Sequence, residues 1–445
     1  MTRADWATLE QDVLRAGLCC RCGTCSAVCP VASITIEPDS LKPTAVADCP
    51  CSRCGRCVAV CPGYSTPQAT LYGRLFGRLP RHDEPYGITR RFLVGRTTDE
   101  TIYRQSAGGG LVTQLLVNLL NEGVIDGAVV AGYRTDRPYV PEGKVVSIKE
   151  DLVHCANSIY VCVPVNQVLR EVASTGRRVA VVGLPCAIAA LRKAQQHTPH
   201  LTKNIVVLIG IFCGINIGQE ATLFYLKSKG IQPHDVTSYS TRTKADGYGI
   251  KVGLRSGNLL HKKNVAVHLG LAPIFTPLRC HMCPDLINEF ADIAVGDTWL
   301  HDGNSVLLVR TEAGENALRP ATDMTLEPVS DFVTHRNGII NKKIKSQYLI
   351  ELTHGKRRRA TEFEMTDELR CGYDWNERDR RVFAAVHRLF SIPVVRKTAK
   401  HLLVGDRYLS LPVDRSYLPA KVLIAGYTLP LWHEPLASQI QRKAQ

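Results

Sequence analysis

The sequence lacks any apolar run long enough to cross a membrane. Its longest apolar stretches, Val179–Leu191 and Ile205–Ile217, are interrupted by glycine and are shorter than the roughly 20 residues that a transmembrane helix needs. Residues 1–16 carry charges throughout and lack the apolar core of a secretory signal. The sequence also lacks a nucleic-acid recognition motif. We therefore expect a cytoplasmic protein with no transmembrane segment and no nucleic-acid partner.

Cysteine, by contrast, is abundant. The 445 residues include 17 cysteines, and ten of these lie between Cys19 and Cys61. Because cytoplasmic thiols stay reduced, clustered cysteines indicate metal binding or catalysis. Hydrophobic residues make up 45% and charged residues 22% of the chain, and the formal net charge is +14. This balance is typical of a globular protein, and the length favours about two to four domains.

The N-terminal part contains an internal repeat with the spacing C-x2-C-x2-C-x3-C-P. Its first copy consists of Cys19, Cys22, Cys25 and Cys29, and its second copy consists of Cys51, Cys54, Cys57 and Cys61. In two-cluster ferredoxins with this spacing, the fourth cysteine of each run ligates the other cluster. The spacing therefore predicts two [4Fe–4S] clusters with crossed ligation. Cluster one takes Cys19, Cys22, Cys25 and Cys61, and cluster two takes Cys51, Cys54, Cys57 and Cys29.

Zinc is the alternative for this repeat. Zinc sites with four cysteine ligands pair two C-x2-C turns across a longer loop and do not use triple runs closed by C-P. The pattern therefore favours iron–sulfur clusters. Cys20 and Cys49 fall outside the repeat register, and we interpret them as bystanders. Between the two runs, Ile34–Ile36 predicts a short strand.

From about Arg91, alternating apolar strands and helices predict an α/β body. The loop Ser106–Gly110, which contains Gly108, Gly109 and Gly110, precedes an apolar helix with Thr113 in its first turn. Such a glycine run lets backbone N–H groups approach an anionic or planar ligand. A tight turn without a ligand is the alternative.

Four further cysteines follow predicted strands or form a C-x2-C hairpin: Cys186, Cys213, Cys280 and Cys283. Because the ends of parallel strands meet at one edge of a sheet, a third cluster held by these thiolates is the economical inference. Buried apolar thiols are the alternative. His281, Asp285 and Asp297 are candidate catalytic residues, and structural roles in loops or helix caps are the alternative for the two aspartates.

Six motifs of the body resemble the coenzyme F420 hydrogenase/dehydrogenase beta-subunit family. These motifs are Ser106–Thr113, Val182–Arg192, Phe212–Gly214, Cys280–Asp285, Ala291–Asp297 and Val309–Gly314. In order and spacing they cover roughly Arg91 to Arg336. The resemblance implies a flavin, usually FAD, and a [4Fe–4S] cluster in the body.

The resemblance also extends the set of expected cofactor-binding residues to Ser158 and Tyr160. Many members carry a basic residue where this chain has Ile159. If that group touches the flavin or the anionic deazaflavin substrate, its absence argues against the use of F420.

The expected architecture is α/β (α+β) and multidomain. We predict a ferredoxin-like domain with two [4Fe–4S] clusters over 1–72, a linker over 73–90 and a flavin-binding region over 91–170. A region with the third cluster follows over 171–348, and a basic, mainly helical C-terminal extension covers 349–445. The extension is either a solvated helical surface or a docking surface for an acidic partner. The linker makes the N-terminal module a separable arm.

The expected function is that of an FAD- and iron–sulfur-dependent oxidoreductase. A flavin exchanges two electrons with a hydride donor or acceptor such as F420, whereas the clusters carry single electrons. The partners are then a small hydride carrier and a redox protein, either a ferredoxin or a larger complex. One alternative is a ferredoxin-dependent reductase of an organic substrate, similar to the chlorophyll-precursor reductases of this family. Another is a non-catalytic electron-transfer subunit of a larger redox complex.

Overall fold

The computed structural model describes residues 4–346 except 49, 82, 264–270, 273, 299–302, 331–334, 337, 341 and 344. The predicted C-terminal extension over 349–445, together with Cys49 and Cys371, lies outside the described residues. No helix within the described ranges is long and apolar enough to span a membrane.

The N-terminal module consists of short elements around the two cysteine runs. Its elements are α1 (Trp6–Leu9), a π-helical turn (Glu10–Leu14), α2 (Thr24–Val28), β1 (Ile34–Ile36), β2 (Pro43–Ala45) and α3 (Arg56–Ala59). Strands β1 and β2 pair antiparallel, with Ile34 opposite Ala45, so the predicted short strand at Ile34–Ile36 is present. Helices α2 and α3 each begin after a glycine with positive φ, Gly23 at 80° and Gly55 at 76°. The two halves of the repeat therefore share one backbone geometry.

The segment predicted as a linker, 73–90, packs into the body instead. Helix α4 (Gln68–Phe76) begins before this segment and includes its first four residues. Tyr72 of this helix is fully buried, and its ring packs edge-on against Phe290 with ring centroids 5.1 Å apart. Tyr86 is also buried, and its carbonyl accepts a hydrogen bond from Nη1 of Arg310 at 2.9 Å. The helical spacing of Leu71, Tyr72 and Phe76 gives the segment an apolar face, so it behaves as a packed element.

Strands and helices alternate along most of the body. Its strands are β3 (Arg91–Thr97), β4 (Gly127–Tyr133), β5 (Pro141–Val146), β6 (Val179–Gly183), β7 (Ile205–Ile211), β8 (Val236–Thr241), β9 (Gly249–Leu254), β10 (Leu259–Lys263), β11 (Ile293–Asp297), β12 (Ser305–Val309) and β13 (Met324–Pro328). Its helices are α5 (Glu100–Gln105), α6 (Leu111–Asn121), α7 (Lys149–His154), α8 (Leu169–Thr175), α9 (Pro185–His197), α10 (Glu220–Ser228), α11 (Leu278–His281) and α12 (Glu312–Ala317). Short 3₁₀ turns lie at Val165–Val168, Pro199–Leu201 and Pro233–Asp235.

A large mixed sheet of eight strands forms the centre of the body, in the order β13-β3-β12-β11-β7-β6-β4-β5. The inner strands β11, β7, β6 and β4 are parallel, and the outer strands pair antiparallel. Strand β6 is buried along its whole length, as expected for a parallel strand that is covered on both faces. The α/β class predicted for the body is confirmed.

Hydrophobic cores lie on both faces of this sheet. Alternate residues of a strand point to opposite faces, so Val179 and Val181 belong to one core and Ala180 and Val182 to the other. The first core contains Cys20 and Cys22 of the N-terminal module together with Tyr72 and residues of α9. The module is therefore packed against the body and shares its core.

A small antiparallel sheet of β8, β9 and β10 lies beside the main sheet. The turn between β8 and β9 carries Arg242 and Lys244, and Arg242 has a positive φ of 53°. The backbone N–H of Lys244 donates to the carbonyl of Ser106 at 3.3 Å. This contact brings the turn to the glycine loop of the body.

Candidate electron-transfer site

The two cysteine loops of the N-terminal module have the same local geometry. The backbone N–H of Arg21 donates to Sγ of Cys19 at 3.4 Å, and the N–H of Arg53 donates to Sγ of Cys51 at 3.4 Å. Both arginines have positive φ, 57° and 51°. Backbone N–H groups that point at cysteine sulfurs stabilise negative charge on those sulfurs and tune iron–sulfur potentials. The repeat in sequence is thus a repeat in hydrogen bonding.

The fold groups the cysteines across the two runs. Cys61 lies close enough to Cys19 and Cys25 to act on both thiols electrostatically. In the same way, Cys29 acts on Cys57 together with Cys51 and Cys54. We call Cys19, Cys22, Cys25 and Cys61 the cluster-one group, and Cys51, Cys54, Cys57 and Cys29 the cluster-two group. The structure therefore brings each fourth cysteine toward the other run.

The electrostatics of these groups fit a cofactor that carries positive charge. Burial and the neighbouring Cys61 raise the pKa of Cys19 to about 12. Burial and the neighbouring Cys22 raise the pKa of Cys61 to about 11, and burial raises the pKa of Cys57 to about 12. Several thiolates cannot form side by side in such a site unless a cation compensates them. Iron supplies that charge in an iron–sulfur cluster.

Sites for a single metal ion and sites for a cubane cluster space their donor atoms differently. Across the described ranges, no group of three or more His, Cys, Asp or Glu side chains is arranged to hold a metal ion. A cubane cluster makes a different demand, because each of its four thiolates binds a different iron and the sulfurs stand farther apart. The donor set is of the kind that a [4Fe–4S] cluster requires.

A third set of cysteines lies at the carboxyl ends of the inner strands. Cys186 follows β6 in the first turn of α9, and Cys213 comes two residues after β7. Cys280 and Cys283 come from α11 and the turn after it. Burial raises the pKa of Cys213, and Cys280, Cys186 and Cys283 add to this effect. The four predicted thiols are therefore together, and we call them the body group.

Two cysteines outside the predicted ligand sets lie beside them. The Cys20 thiol lies within hydrogen-bonding reach of Cys186 and Cys22, and both contacts raise its pKa. The Cys162 thiol donates to Cys280, and this bond likewise raises its pKa. Cys20 therefore touches both the cluster-one group and the body group, a position that its place outside the repeat register did not suggest.

Buried lysines lie next to these thiols, at positions that the sequence does not predict. Nζ of Lys193 donates to the carbonyls of Cys61 at 2.8 Å and Ser65 at 2.7 Å. Nζ of Lys342 donates to the carbonyls of Cys213 and Asp285, the latter at 2.8 Å. Both lysines are buried. Lysines that lie far from the cysteines in sequence carry no signal of this role before the fold joins them.

The three candidate catalytic residues lie in different surroundings. Asp285 is buried, accepts a hydrogen bond from the N–H of Glu289 at 2.9 Å, and has a pKa raised by burial. His281 is buried in α11 within the C-x2-C hairpin. Asp297 ends β11 and forms an ion pair with Arg242. The partner of Asp297, Arg242, lies in the same turn as Lys244, which contacts the glycine loop.

The glycines of the Ser106–Gly110 loop serve close packing within the chain. The N–H of Gly109 donates to Oγ of Ser305 at 2.7 Å. A Cβ at Gly109 would lie 2.5 Å from the carbonyl oxygen of Gly95 and 2.8 Å from the N of Ser305. Gly110 caps α6 with a φ of 75°. Thr113 is buried one turn later. Gly109 and Gly110 are thus required by the packing and the backbone geometry of the loop.

The turn after β8 supplies the charge at this edge. Nη1 of Arg242 donates to Oη of Tyr160 at 3.0 Å. Nζ of Lys244 donates to the carbonyl of Gly108 and lies 3.9 Å from the ring centroid of Tyr103. Burial lowers the pKa of Lys244 to about 8. We call Ser106–Gly110, Tyr160, Arg242, Lys244 and Asp297 the sheet-edge site.

Ser158 and Tyr160, the predicted cofactor-binding residues on either side of Ile159, have different contacts in the structure. Tyr160 belongs to the sheet-edge site through Arg242, whereas the carbonyl of Ser158 accepts a hydrogen bond from Thr241 at the end of β8. Arg242 and Lys244 provide positive charge next to Tyr160, so the lack of a basic side chain at Ile159 does not leave the site without cations.

The sheet-edge site and the body group are neighbours. Phe212 lies between β7 and Cys213, its N–H donates to the carbonyl of Val295 at 2.9 Å, and its ring packs where Gly296 has no side chain. The carbonyl of Asp297 contacts Nε2 of His335 at 2.7 Å, and the His335 ring packs edge-on against Phe212. Phe212, which precedes Cys213 in sequence, therefore contacts both Gly296 and His335 beside Asp297.

Comparison with known proteins agrees with this arrangement of body and sheet. The matching family is described as coenzyme F420 hydrogenase/dehydrogenase, beta subunit. Residues 92–170 match its N-terminal part, and residues 176–332 match its C-terminal part. The chain belongs to this family. The resemblance found over roughly Arg91 to Arg336 is confirmed.

Three relatives show how the family match extends. The chain is 30% identical over 337 residues to the coenzyme F420-dependent sulfite reductase of Methanocaldococcus jannaschii, a match of 72% of this chain and 48% of that protein. It is 29% identical over 238 residues to the beta subunit of the coenzyme F420 hydrogenase of Methanosarcina barkeri, covering 52% and 79%. It is 26% identical over 250 residues to the corresponding beta subunit of Methanothermobacter thermautotrophicus, covering 53% and 83%. The chain thus spans about half the length of the sulfite reductase.

A solved structure shows the same fold. A chain of the F420-reducing [NiFe] hydrogenase complex from Methanosarcina barkeri aligns with a TM-score of 0.51 at 24% identity, over 63% of this chain and 97% of that chain. None of the three relatives above is a chlorophyll-precursor reductase, so they give that alternative no support.

Proposed function

We propose that this chain is an iron–sulfur flavoprotein oxidoreductase that passes electrons between a hydride carrier of the F420 type and one-electron carriers. One observation carries the proposal: the cysteine groups form a continuous series. Cys51 of the cluster-two group is exposed, the cluster-one group lies against the body, and Cys20 connects it to the body group. Phe212, next to Cys213 in sequence, contacts Gly296 and His335 beside Asp297 of the sheet-edge site.

The sheet-edge site would hold FAD, which supplies the exchange between two-electron and one-electron chemistry when bound. Arg242 and Lys244 are the residues suited to its anionic groups, because both are cations at the carboxyl edge of the sheet. Asp297 holds Arg242 in place, and the Tyr103 ring and the Gly108 carbonyl hold Lys244. These contacts fix the two charges before a ligand arrives, so binding costs little reorganisation.

The residues around the cysteines have a complementary role. Lys193 and Lys342 bring buried positive charge to groups that become more negative when an electron enters. Positive charge in a low-dielectric region lowers the cost of that step. We therefore propose a ferredoxin-like unit within about residues 1–72, packed on the family regions 91–170 and 171–348.

Anaerobic purification tests this proposal directly. The full-length protein should contain about twelve irons per chain and one extractable flavin. Reduced F420 should bleach the flavin, with NADH, NADPH and reduced ferredoxin as comparisons. A value of about eight irons would remove the body cluster and leave Cys186, Cys213, Cys280 and Cys283 as structural thiols.

A non-catalytic electron-transfer subunit is the second candidate, and the names of two relatives favour it. The relatives from Methanosarcina barkeri and Methanothermobacter thermautotrophicus are both subunits of a hydrogenase. The same experiment separates the candidates. Bleaching of a bound flavin by a hydride donor in the isolated chain contradicts the relay role, whereas full iron content without flavin supports it.

A further inference from the structure

The two repeat loops place an arginine at the same position but in opposite surroundings. Arg21 lies between Cys20 and Cys22, and Arg53 lies between Ser52 and Cys54. Their backbone φ angles and their N–H to sulfur hydrogen bonds agree, as described above. Their side chains differ: the Arg21 side chain is 6% exposed and the Arg53 side chain is 81% exposed.

Arg21 forms a bidentate ion pair with Glu220 of the body. Nη1 of Arg21 lies 2.7 Å from Oε2 of Glu220, and Nη2 lies 3.0 Å from Oε1. Nη1 also donates to the carbonyl of Ser40. Glu220 begins α10, so this contact joins the N-terminal module to the body. Paired N–H···O bonds of this kind fix an arginine in one orientation.

The body has space reserved for this pair. A Cβ added at Gly218 would lie 2.6 Å from Nη2 of Arg21 and would also meet the Glu220 carboxylate. The guanidinium lies close enough to Cys19 and Cys162 to act on both thiols electrostatically. The buried arginine thus belongs to the same loop as the cluster-one cysteines, and its own N–H donates to Sγ of Cys19 at 3.4 Å.

Arg53 has no comparable setting. Its Nε lies 4.0 Å from the Asp5 carboxylate, and its guanidinium group is exposed to solvent. Exposed charges of this kind are screened by solvent and salt and contribute little. The repeat thus contains its own matched control, with one buried and one exposed arginine on otherwise equivalent cysteine loops.

We propose that Arg21, held by Glu220, raises the reduction potential of cluster one relative to cluster two. The inference rests on the proposed function, since it requires clusters in the N-terminal module. A one-electron reduction adds negative charge to a cluster, and a fixed cation that is shielded from water stabilises that reduced form. A higher potential at cluster one then favours electron transfer from the exposed cluster two to cluster one, which lies next to the body.

Redox titrations of the full-length anaerobic protein, followed by electron paramagnetic resonance, test the proposal. Arg21→Met should lower the potential of one cluster signal by about 59 mV, a tenfold change in a one-electron equilibrium. Arg53→Met should leave every signal at its wild-type potential. An unchanged or raised potential in Arg21→Met, or an equal shift in Arg53→Met, would overturn the proposal.

Glu220→Gln separates electrostatics from loosening of the module. Removing this negative charge while keeping a hydrogen-bonding side chain should raise the same potential that Arg21→Met lowers. If both variants acted only by admitting water, both would shift the potential upward, which contradicts the proposal. Where Arg21→Met loses iron, Arg21→Lys should keep the wild-type potential because it keeps the charge, and a lowered potential there refutes the idea. A wild-type protein without two N-terminal cluster signals would instead refute the proposed function.

Discussion

The glycines of the Ser106–Gly110 loop have a role in packing within the chain, whether or not the loop also binds a cofactor. The run does open α6, but Gly109 is needed because its Cα approaches the backbone of Gly95 and Ser305. The positive charges at this edge are instead Arg242 and Lys244, the residues that we propose for an anionic ligand. Neither residue belongs to the glycine motif, and Lys244 contacts it from the turn between two strands of the small sheet.

Gly109→Ala should lower the stability of the body. Its methyl group would lie 2.5 Å from the Gly95 carbonyl oxygen, and overpacking of this kind costs about 1–3 kcal/mol. Thermal unfolding of anaerobic protein measures the effect. Gly73→Ala in α4 is the matched control: no heavy atom lies within 4 Å of its added Cβ, and helix propensity predicts unchanged or slightly higher stability. Equal melting temperatures for both variants would contradict this account of Gly109.

Lys244 should make the binding of an anionic cofactor depend on pH. Its pKa is lowered to about 8 by burial, so it is charged at pH 7 and largely neutral at pH 9. The affinity for FAD or F420 should therefore fall as pH rises through 8, by no more than tenfold per pH unit. Fluorescence titrations at several pH values measure this effect.

Lys244→Arg should remove the pH dependence near 8, because arginine stays charged. Lys251→Gln provides the control, since it removes a charge from the same hairpin where Lys251 pairs with Asp246 at 3.0 Å. If Lys251→Gln removed the pH dependence as Lys244→Arg does, the charge at Lys244 would have no special role.

At the scale of elements, α4 decides how the N-terminal module is joined to the body. Proline and the lack of a long apolar period suggested a linker over 73–90. The helix nevertheless buries Leu71 and Tyr72 in the main core, and Tyr72 donates its hydroxyl hydrogen to Glu289. Glu289 also pairs with Lys343 at 3.0 Å, so α4 completes a buried charged network.

Tyr72→Phe should destabilise the protein through that network. The variant keeps the ring but leaves a buried carboxylate with one donor fewer, a loss worth about 1–3 kcal/mol. Tyr248→Phe is the control, because Tyr248 is 44% exposed and its hydroxyl is accessible to water. A shift of the unfolding midpoint in the control as large as that in Tyr72→Phe would show that the buried network is not the cause.

At the scale of the whole molecule, the N-terminal module is a structural part of the body. Val28 and Val60 share a core with Ala194 and Leu201. The amide of Asn166 donates to Oγ1 of Thr24 at 2.9 Å. Polar groups buried on the body side of this interface would lose their partners if the module were removed, and such losses are costly.

Truncation should therefore destabilise the body rather than release it. A chain without residues 1–67 keeps α4, whereas a chain without residues 1–85 also loses Leu71 and Tyr72 from the core. We expect the first to melt below the full-length protein and the second to melt lower still or to aggregate. Circular dichroism melts and size-exclusion chromatography measure this order. A chain lacking 1–85 that unfolds cooperatively at the full-length temperature would contradict it.

The local sequence pattern alone determined the cysteine loops, the buried strands and the grouping of the body cysteines. The C-x2-C-x2-C-x3-C-P runs define their own loop geometry, because a short sequence spacing fixes which sulfurs can converge. Strands β6 and β7 could be predicted from sequence, because a continuous apolar run is typical of a strand that is covered on both faces of a sheet. The cysteines after these strands were predictable as neighbours for the same reason: parallel strands end at one edge.

Tertiary structure alone decided the rest. Arg242, Lys244, Lys193 and Lys342 acquire their positions from contacts between segments that are far apart in sequence, and a lone basic residue carries no local signal of its destination. The different settings of Arg21 and Arg53 make the point most clearly. The two residues share their local sequence and backbone conformation, and they differ because only one of them faces Glu220 across the interface between the module and the body.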